Sequence, residues 1–272
     1  MLTYPHIDPV IFSIGPLAVR WYGLMYVVGF IAAVLLARKR AAQPGSTWKP
    51  VDVDDLIFYA ALGVILGGRI GWILFYGIEQ VIDEPLRALR IWEGGMSFHG
   101  GLLGVLIAIT LYARVHGRRI ADVLDFTAPL PALGLMAGRI GNFINGELWG
   151  KTTDVPWAFV FDGEPRHPSQ LYEASLEGLV LFIIMWSYTA KSRPRLAPSG
   201  LFLLCYGTFR FIVEFVRVPD ENRGYLLFGW VTMGQILSLP MIVAGIALLV
   251  FAYRKNTPSG NRAAAGMAAA AN

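Results

Sequence analysis

The sequence predicts an all-α polytopic membrane protein with seven transmembrane helices, the N-terminus outside, the C-terminus cytoplasmic, and a small outer head. Three observations carry this expectation. Of 272 residues, 55% are apolar and only 15% charged, with a mean hydropathy of +0.52, whereas soluble domains carry about 25% charged residues. The apolar residues fall into windows of about 20, the length that crosses a hydrocarbon core. Lysines and arginines alternate in density between successive connections, as cytoplasmic and external loops do.

The windows run over residues 17–37, 56–76, 96–113, 123–144, 171–188, 200–216 and 230–251. Arg38, Lys39, Arg40 and Lys49 follow the first, Arg114, Arg118 and Arg119 the third, Lys191, Arg193 and Arg195 the fifth, and Arg254, Lys255 and Arg262 the seventh. The opposite connections hold only Arg87, Arg90, Lys151, Arg166 and Arg223. Thirteen cations against five assign the richer side to the cytoplasm. The net charge of +4 therefore has a topological use, and no nucleic-acid partner is expected. Residues 1–16 offer no lysine or arginine for a signal-peptide n-region, so the first span is expected to act as the insertion signal.

Between the spans, residues 82–92 read as a short interfacial helix with Ile82, Leu86 and Leu89 on one side. The segment 150–168 is the longest outer connection, and its apolar run Ala158 to Phe161 before Asp162-Gly163 reads as a strand and turn. The chain thus divides into a seven-helix transmembrane domain over 1–255, with the head at 150–168, and a disordered cytoplasmic tail over 256–272. One cysteine, Cys205, excludes an intrachain disulfide, reads as a small apolar filler, and leaves no zinc-type cluster. No metal and no soluble cofactor is expected.

Ionisable groups at membrane depth are costly and usually face a cavity or a partner. With the topology above, Arg210 falls near mid-membrane, and Arg20, Tyr22, Arg69, His99, Arg139, Glu173, Glu214 and Arg217 fall toward the outer leaflet. Asp122 and Asp125, at the inner end of the fourth span, read as structural. Arg210, Glu214 and Arg217 stand at i, i+4 and i+7, one stripe of a helix. One reading is a self-neutralising pair; the other leaves a guanidinium, oriented by Glu214, free for a ligand. With Arg139 from another helix it would form an anion clamp, since guanidinium donates bidentate bonds to phosphate and stays charged. The run Gly138-Arg139-Ile140-Gly141-Asn142-Phe143-Ile144-Asn145-Gly146-Glu147-Leu148-Trp149-Gly150 is dense in glycines and amides. Small-residue packing accounts for Gly134 and Gly138, but not for an arginine, Asn142, Asn145 and Glu147 together, which suit a head-group site. His99, in Gly94-Gly95-Met96-Ser97-Phe98-His99-Gly100-Gly101, is a candidate for proton transfer near neutral pH.

The thirteen-residue run from Gly138 to Gly150 resembles the signature of the bacterial prolipoprotein diacylglyceryl transferase family. The His99-Gly100-Gly101 block, His167-Pro168-Ser169-Gln170-Leu171-Tyr172-Glu173, the Arg210 to Arg217 stripe and Arg20-Trp21-Tyr22-Gly23 resemble that family in the same order, over about residues 1–255. The resemblance implies seven transmembrane helices with a periplasmic head in the bacterial inner membrane. It implies transfer of a diacylglyceryl group from phosphatidylglycerol to the lipobox cysteine thiol of a preprolipoprotein signal peptide, giving a thioether and glycerol phosphate. It places the family's essential arginines on Arg139 and Arg210, its histidine on His99, and its supporting residues on Tyr22, Asn142, Glu147, Gly150 and Glu214.

That chemistry fits the residues. Breaking the bond to phosphate accumulates negative charge that Arg139 and Arg210 would stabilise in the transition state. The attacking thiol, with an ordinary pKa near 8.5, needs either a base, for which His99 is the candidate, or a positive field from the arginines. A transporter would carry polar groups at mid-membrane and matching halves, whereas here the polar groups crowd one leaflet, seven is odd and no halves match; an intramembrane protease finds no support in a Gly-x-Ser-Gly or in paired intramembrane aspartates.

Overall fold

A computed structural model describes residues 1–15, 17–219 and 224–261. In chain order the elements are strands β1 (Leu2–Thr3), β2 (Val10–Ile14) and β3 (Leu17–Arg20), then helices α1 (Trp21–Ala41), α2 (Pro50–Trp72), α3 (Ile78–Asp83), α4 (Phe98–Val115), α5 (Ile120–Thr127) and α6 (Pro131–Ile144). Strands β4 (Phe159–Phe161) and β5 (Glu164–Arg166) follow, then helices α7 (Ser169–Glu173), α8 (Leu181–Thr189), α9 (Ala197–Val213) and α10 (Met233–Lys255). π-helical turns at Ile73–Gly77 and Ala174–Val180 continue α2 into α3 and α7 into α8. The chain forms two compact units, Met1–Ala37 with Asp125–Ser259, and Arg38–Leu124 with Gly260 and Asn261.

Among the described residues, five helices are long and apolar enough to cross a membrane: α1, Pro50–Asp83, α4, Ser169–Thr189 and α10. The pair α5 and α6 makes a sixth if its 48° bend lies within one span. The protein is therefore a mostly helical, multi-pass membrane protein. Between 11% and 33% of each long apolar window is buried in the protein, and residues such as Phe75, Ile107 and Val243 stay exposed. A helix that is apolar all round needs lipid where it lacks protein.

Differences from the sequence reading have local causes. The first window opens at residue 17, but α1 starts at Trp21 because β3 pairs antiparallel with β2. The window 123–144 is not one helix; Pro129 and Pro131 bring no backbone N–H, and the chain turns between Thr127, where α5 ends, and Pro131, where α6 begins. Residues 82–92 are not one interfacial helix either: α3 ends at Asp83, and Pro85–Leu89 and Ile91–Glu93 are separate 3₁₀ turns. Their carbonyls are claimed by Arg69, which is buried and donates from Nε to Ala88 (3.0 Å), from Nη1 to Gly94 and Gly95 (2.7 and 2.9 Å), and from Nη2 to Arg87 and Arg90. Ile82, Leu86 and Leu89 remain exposed.

In the first unit, β1 pairs parallel with β4, and β4 pairs antiparallel with β5. Asp162 and Gly163 take φ of 49° and 81°, the left-handed pair that a two-residue hairpin turn requires. The strand and turn expected at 158–163 are present. Tyr4 seals the sheet, donating to the carbonyls of Phe143 (2.9 Å) and Ile144 (2.7 Å) amid Phe143, Trp149 and Phe161.

The helical core gathers around Ala128, Ala132, Leu181 and Met185, with Cys205 packed against it, as its reading as a filler requires. Asp125 is fully buried and structural: it accepts from the backbone N–H of Leu196 (2.6 Å) and of Ser199 (3.1 Å), and from the Ser199 hydroxyl (2.6 Å), at the start of α9. Asp122 is structural too, accepting from the Gly260 N–H at 2.9 Å. Gly134 meets Gly29 across α1 and α6, whereas a side chain at Gly138 would touch nothing, so only the first of these glycines packs a helix. Of the expected tail, 256–261 is described and bonded: Trp48 Nε1 donates to Asn261 Oδ1 at 2.8 Å, and the Thr47 hydroxyl to Gly260 O at 2.7 Å. Residues 262–272, Arg262 among them, and Arg223 lie outside the described residues.

Candidate active site

The first unit assembles its buried charges around one carboxylate. Glu173, at the end of α7, has no exposed surface. Its Oε2 meets Arg139 Nε of α6 at 2.6 Å and Arg210 Nη1 of α9 at 2.9 Å, and its Oε1 meets Arg217 Nη1 at 2.8 Å. Glu214 closes the other side, 2.5 Å from Arg210 Nη2 and 3.3 Å from Arg217 Nε, while accepting the Thr232 hydroxyl at 2.6 Å. The anticipated helical stripe is cut short: α9 ends at Val213, and Arg217 follows in a turn paired with Gly150. The contacts to Glu214 survive because the turn keeps all three side chains on one side.

Glu177, in the π-helical turn, lies 3.8 Å from Arg210 Nη1 and is fully buried. Three guanidiniums thus face three carboxylates in a site largely removed from water. Such groups are held by mutual attraction that strengthens as the local dielectric falls, and removing one partner strands the others. Side-chain exposure separates the arginines: Arg139 keeps 21% and Arg210 17%, against 9% for Arg217. The first two keep the larger share of exposed side chain, and Arg217 is the most buried of the three.

Asn142 extends the network. Its Oδ1 lies 3.5 Å from Arg139 Nη1 and its Nδ2 donates to Glu147 Oε2 at 3.2 Å, while Asn145 Nδ2 donates to Glu147 Oε1 at 3.2 Å. Tyr22 opens α1 with its ring against Gly141 and its hydroxyl 2.9 Å from that of Tyr26. The segment 147–150 is clamped by α7: Ser169 Oγ donates to Leu148 O at 2.7 Å, and Gln170 Nε2 donates to Glu147 O. Gly150 serves packing, since a Cβ there would stand 2.6 Å from Val216 O and 2.7 Å from His167 Cβ. Its N–H donates to His167 O at 2.9 Å. The His167 imidazole is held below its ordinary pKa, first by burial and then by the nearby Lys151 charge.

Of the residues expected at the site, Tyr22, Arg139, Asn142, Asn145, Glu147, Gly150, Arg210, Glu214 and Arg217 all belong to the first unit. His99 belongs to the second, exposed in the first turn of α4 with its ring edge against Phe98. Glu173, noted in the sequence as a charge toward the outer leaflet, and Gln170, noted only within the His167 to Glu173 block, were not assigned to the site, and Glu177 was not singled out at all. The available signal was the excess of buried arginine over Glu214 alone, which calls for further carboxylates.

Fold and site define a class: a multi-pass helical membrane protein whose first unit concentrates guanidinium and carboxylate groups in one buried network. A family model described as prolipoprotein diacylglyceryl transferase matches residues 9–251. A phosphatidylglycerol–prolipoprotein diacylglyceryl transferase of Oleidesulfovibrio alaskensis is 62% identical over 93% of this chain and 96% of its own length. Proteins of the same name from Methylococcus capsulatus and Pseudomonas aeruginosa are 60% and 57% identical, each over 94% of this chain and over 100% and 97% of their own lengths. The chain belongs to the prolipoprotein diacylglyceryl transferase family, and it is a transferase of lipoprotein biosynthesis.

Proposed function

We propose that this protein transfers the diacylglyceryl group of phosphatidylglycerol to the thiol of the lipobox cysteine of a preprolipoprotein, and that Arg139 and Arg210 hold the phosphate. The observation that carries the assignment of the arginines is their pinning by Glu173 with exposure retained at both. A fixed, partly open guanidinium pair needs no reorganisation when charge develops on a phosphate. In the reaction the cysteine sulfur attacks the glycerol carbon bonded to the phosphate oxygen. The carbon–sulfur bond forms, the carbon–oxygen bond breaks, and its electron pair leaves on glycerol phosphate. The thiol proton passes to a base, for which His99 is the candidate; Tyr22, Asn142, Asn145, Glu147 and Gly150 shape the head-group side, with Glu214 and Arg217 bracing the clamp.

In this reading α5–α6 and α9 complete seven spans, and the cation bias places the N-terminus outside and the C-terminus in the cytoplasm. The protein then sits in the bacterial inner membrane with its site open to the periplasmic leaflet, where lipid enters sideways and the signal peptide supplies its thiol. The test is transfer of a labelled diacylglyceryl group from phosphatidylglycerol to a lipobox peptide by purified protein in detergent. Wild type transfers the label to the cysteine peptide and not to its Cys→Ser counterpart, and Arg139→Ala or Arg210→Ala lowers the rate by about 10²–10³ or more. Folded variants with undiminished transfer would remove the arginines from the reaction. His99→Gln, assayed across pH, tests the base: an unchanged profile at near-normal rate assigns thiol activation to the arginine field instead.

A further inference from the structure

Glu177 stands apart from the other carboxylates of the network. Glu173 and Glu214 each take close contacts from two or more guanidiniums. Glu177 is just as buried, yet neither of its oxygens has a hydrogen-bond partner among the described residues, and its nearest cation is Arg210 Nη1 at 3.8 Å. Buried polar groups are almost always bonded, and a carboxylate is the group least able to go without donors. The close contacts of the neighbouring arginines go elsewhere: Arg210 turns Nη1 to Glu173 and Nη2 to Glu214, and Arg217 turns Nη1 and Nε to the same two carboxylates. The turn that carries Glu177 is π-helical, a distortion frequent at functional sites.

A carboxylate with two open acceptors beside an anion clamp fits a ligand that brings O–H donors and no second anion. We infer that Glu177 accepts hydrogen bonds from the hydroxyls of the lipid head group, and so is a specificity-determining residue that selects a diol over other phosphodiesters. This rests on the transferase reading above. In phosphatidylglycerol the first free hydroxyl stands on the second carbon out from the phosphate ester oxygen, so phosphate on Arg210 brings the diol toward a carboxylate 3.8 Å from the same guanidinium nitrogen. A site built to bond a hydroxyl strongly rejects an analogue that lacks it, because the buried acceptor is then left bare.

The probe is phosphatidylpropanol, which matches phosphatidylglycerol in charge and head-group carbons but has no free hydroxyl. The readout is the ratio of kcat/KM for the two lipids within each preparation, which does not depend on how much protein is folded. Wild type is expected to favour phosphatidylglycerol by on the order of 10- to 100-fold. Glu177→Gln, which loses the charge and one acceptor, is expected to cut that ratio by about tenfold, and Glu177→Met to bring it near one. A ratio near one in wild type overturns the inference without any variant, and an unchanged ratio in the variants overturns it as well. Transfer from neither lipid by folded wild type overturns the transferase reading itself.

Discussion

The two units each bury arginine, by opposite means. In the second unit, Arg69 sends all of its donors to five backbone carbonyls between Arg87 and Gly95, with its guanidinium 4.5 Å over the Trp72 ring. In the first, Arg139, Arg210 and Arg217 are gripped by Glu173 and Glu214, and each keeps N–H groups beyond those contacts. Neutral carbonyls satisfy a guanidinium by wrapping it, which spends every donor on shaping one loop. Carboxylates neutralise it from one side and leave the rest of the fork to a ligand. The first is a structural use of arginine and the second a poised one.

The comparison is broken most severely at Glu173. Glu173→Gln leaves three guanidiniums short of a counter-charge, and a loss of about 3–5 kcal/mol is expected from removing one partner of a buried network. The unfolding midpoint in detergent should fall together with kcat; an unshifted midpoint would mean that the arginines hold themselves. Next comes Arg69→Leu, which strips donors from five carbonyls. About 2–3 kcal/mol of stability is expected to be lost, with kcat/KM per folded molecule unchanged, so a selective loss of activity would show that Arg69 does more than shape its loop. The smallest effect is at Gly150→Ala, where the new methyl must displace the backbone at Val216 and His167. About 1–2 kcal/mol of overpacking cost is expected, checked by thermal unfolding; a neutral result would show that the chain at Val216 and His167 gives way to the methyl and that packing does not require glycine at 150.

The reach of the sequence follows the range of each interaction. Five long apolar windows became helices because crossing a hydrocarbon layer imposes a length and a composition that any window reveals. The hairpin turn at Asp162-Gly163 was legible because left-handed backbone selects residues locally. The break at Thr127 was written in Pro129 and Pro131, and window averaging hid it. The three-stranded sheet was only half visible, since β1 is two residues long and acquires meaning only beside β4. For the site, Arg139, Arg210 and Glu214 stood out as charges at membrane depth. Arg69 looked the same as they did, because a hydrophobicity pattern cannot tell a guanidinium wrapped in carbonyls from one held by carboxylates. Glu173 lies 34 residues from Arg139 and 37 from Arg210, so its place at the centre emerges only when three helices converge.

The strand at Leu2–Thr3 has a consequence for how the chain matures. Its partner is β4, and Tyr4 donates to a carbonyl 139 residues away. During synthesis the first residues must therefore wait, unpaired, until more than half of the polypeptide has emerged. Non-local closure of this kind is slow, so the sheet closes after the helices that lie between its strands in the chain. A nascent chain stalled before Phe159 would carry finished helices and an open seam.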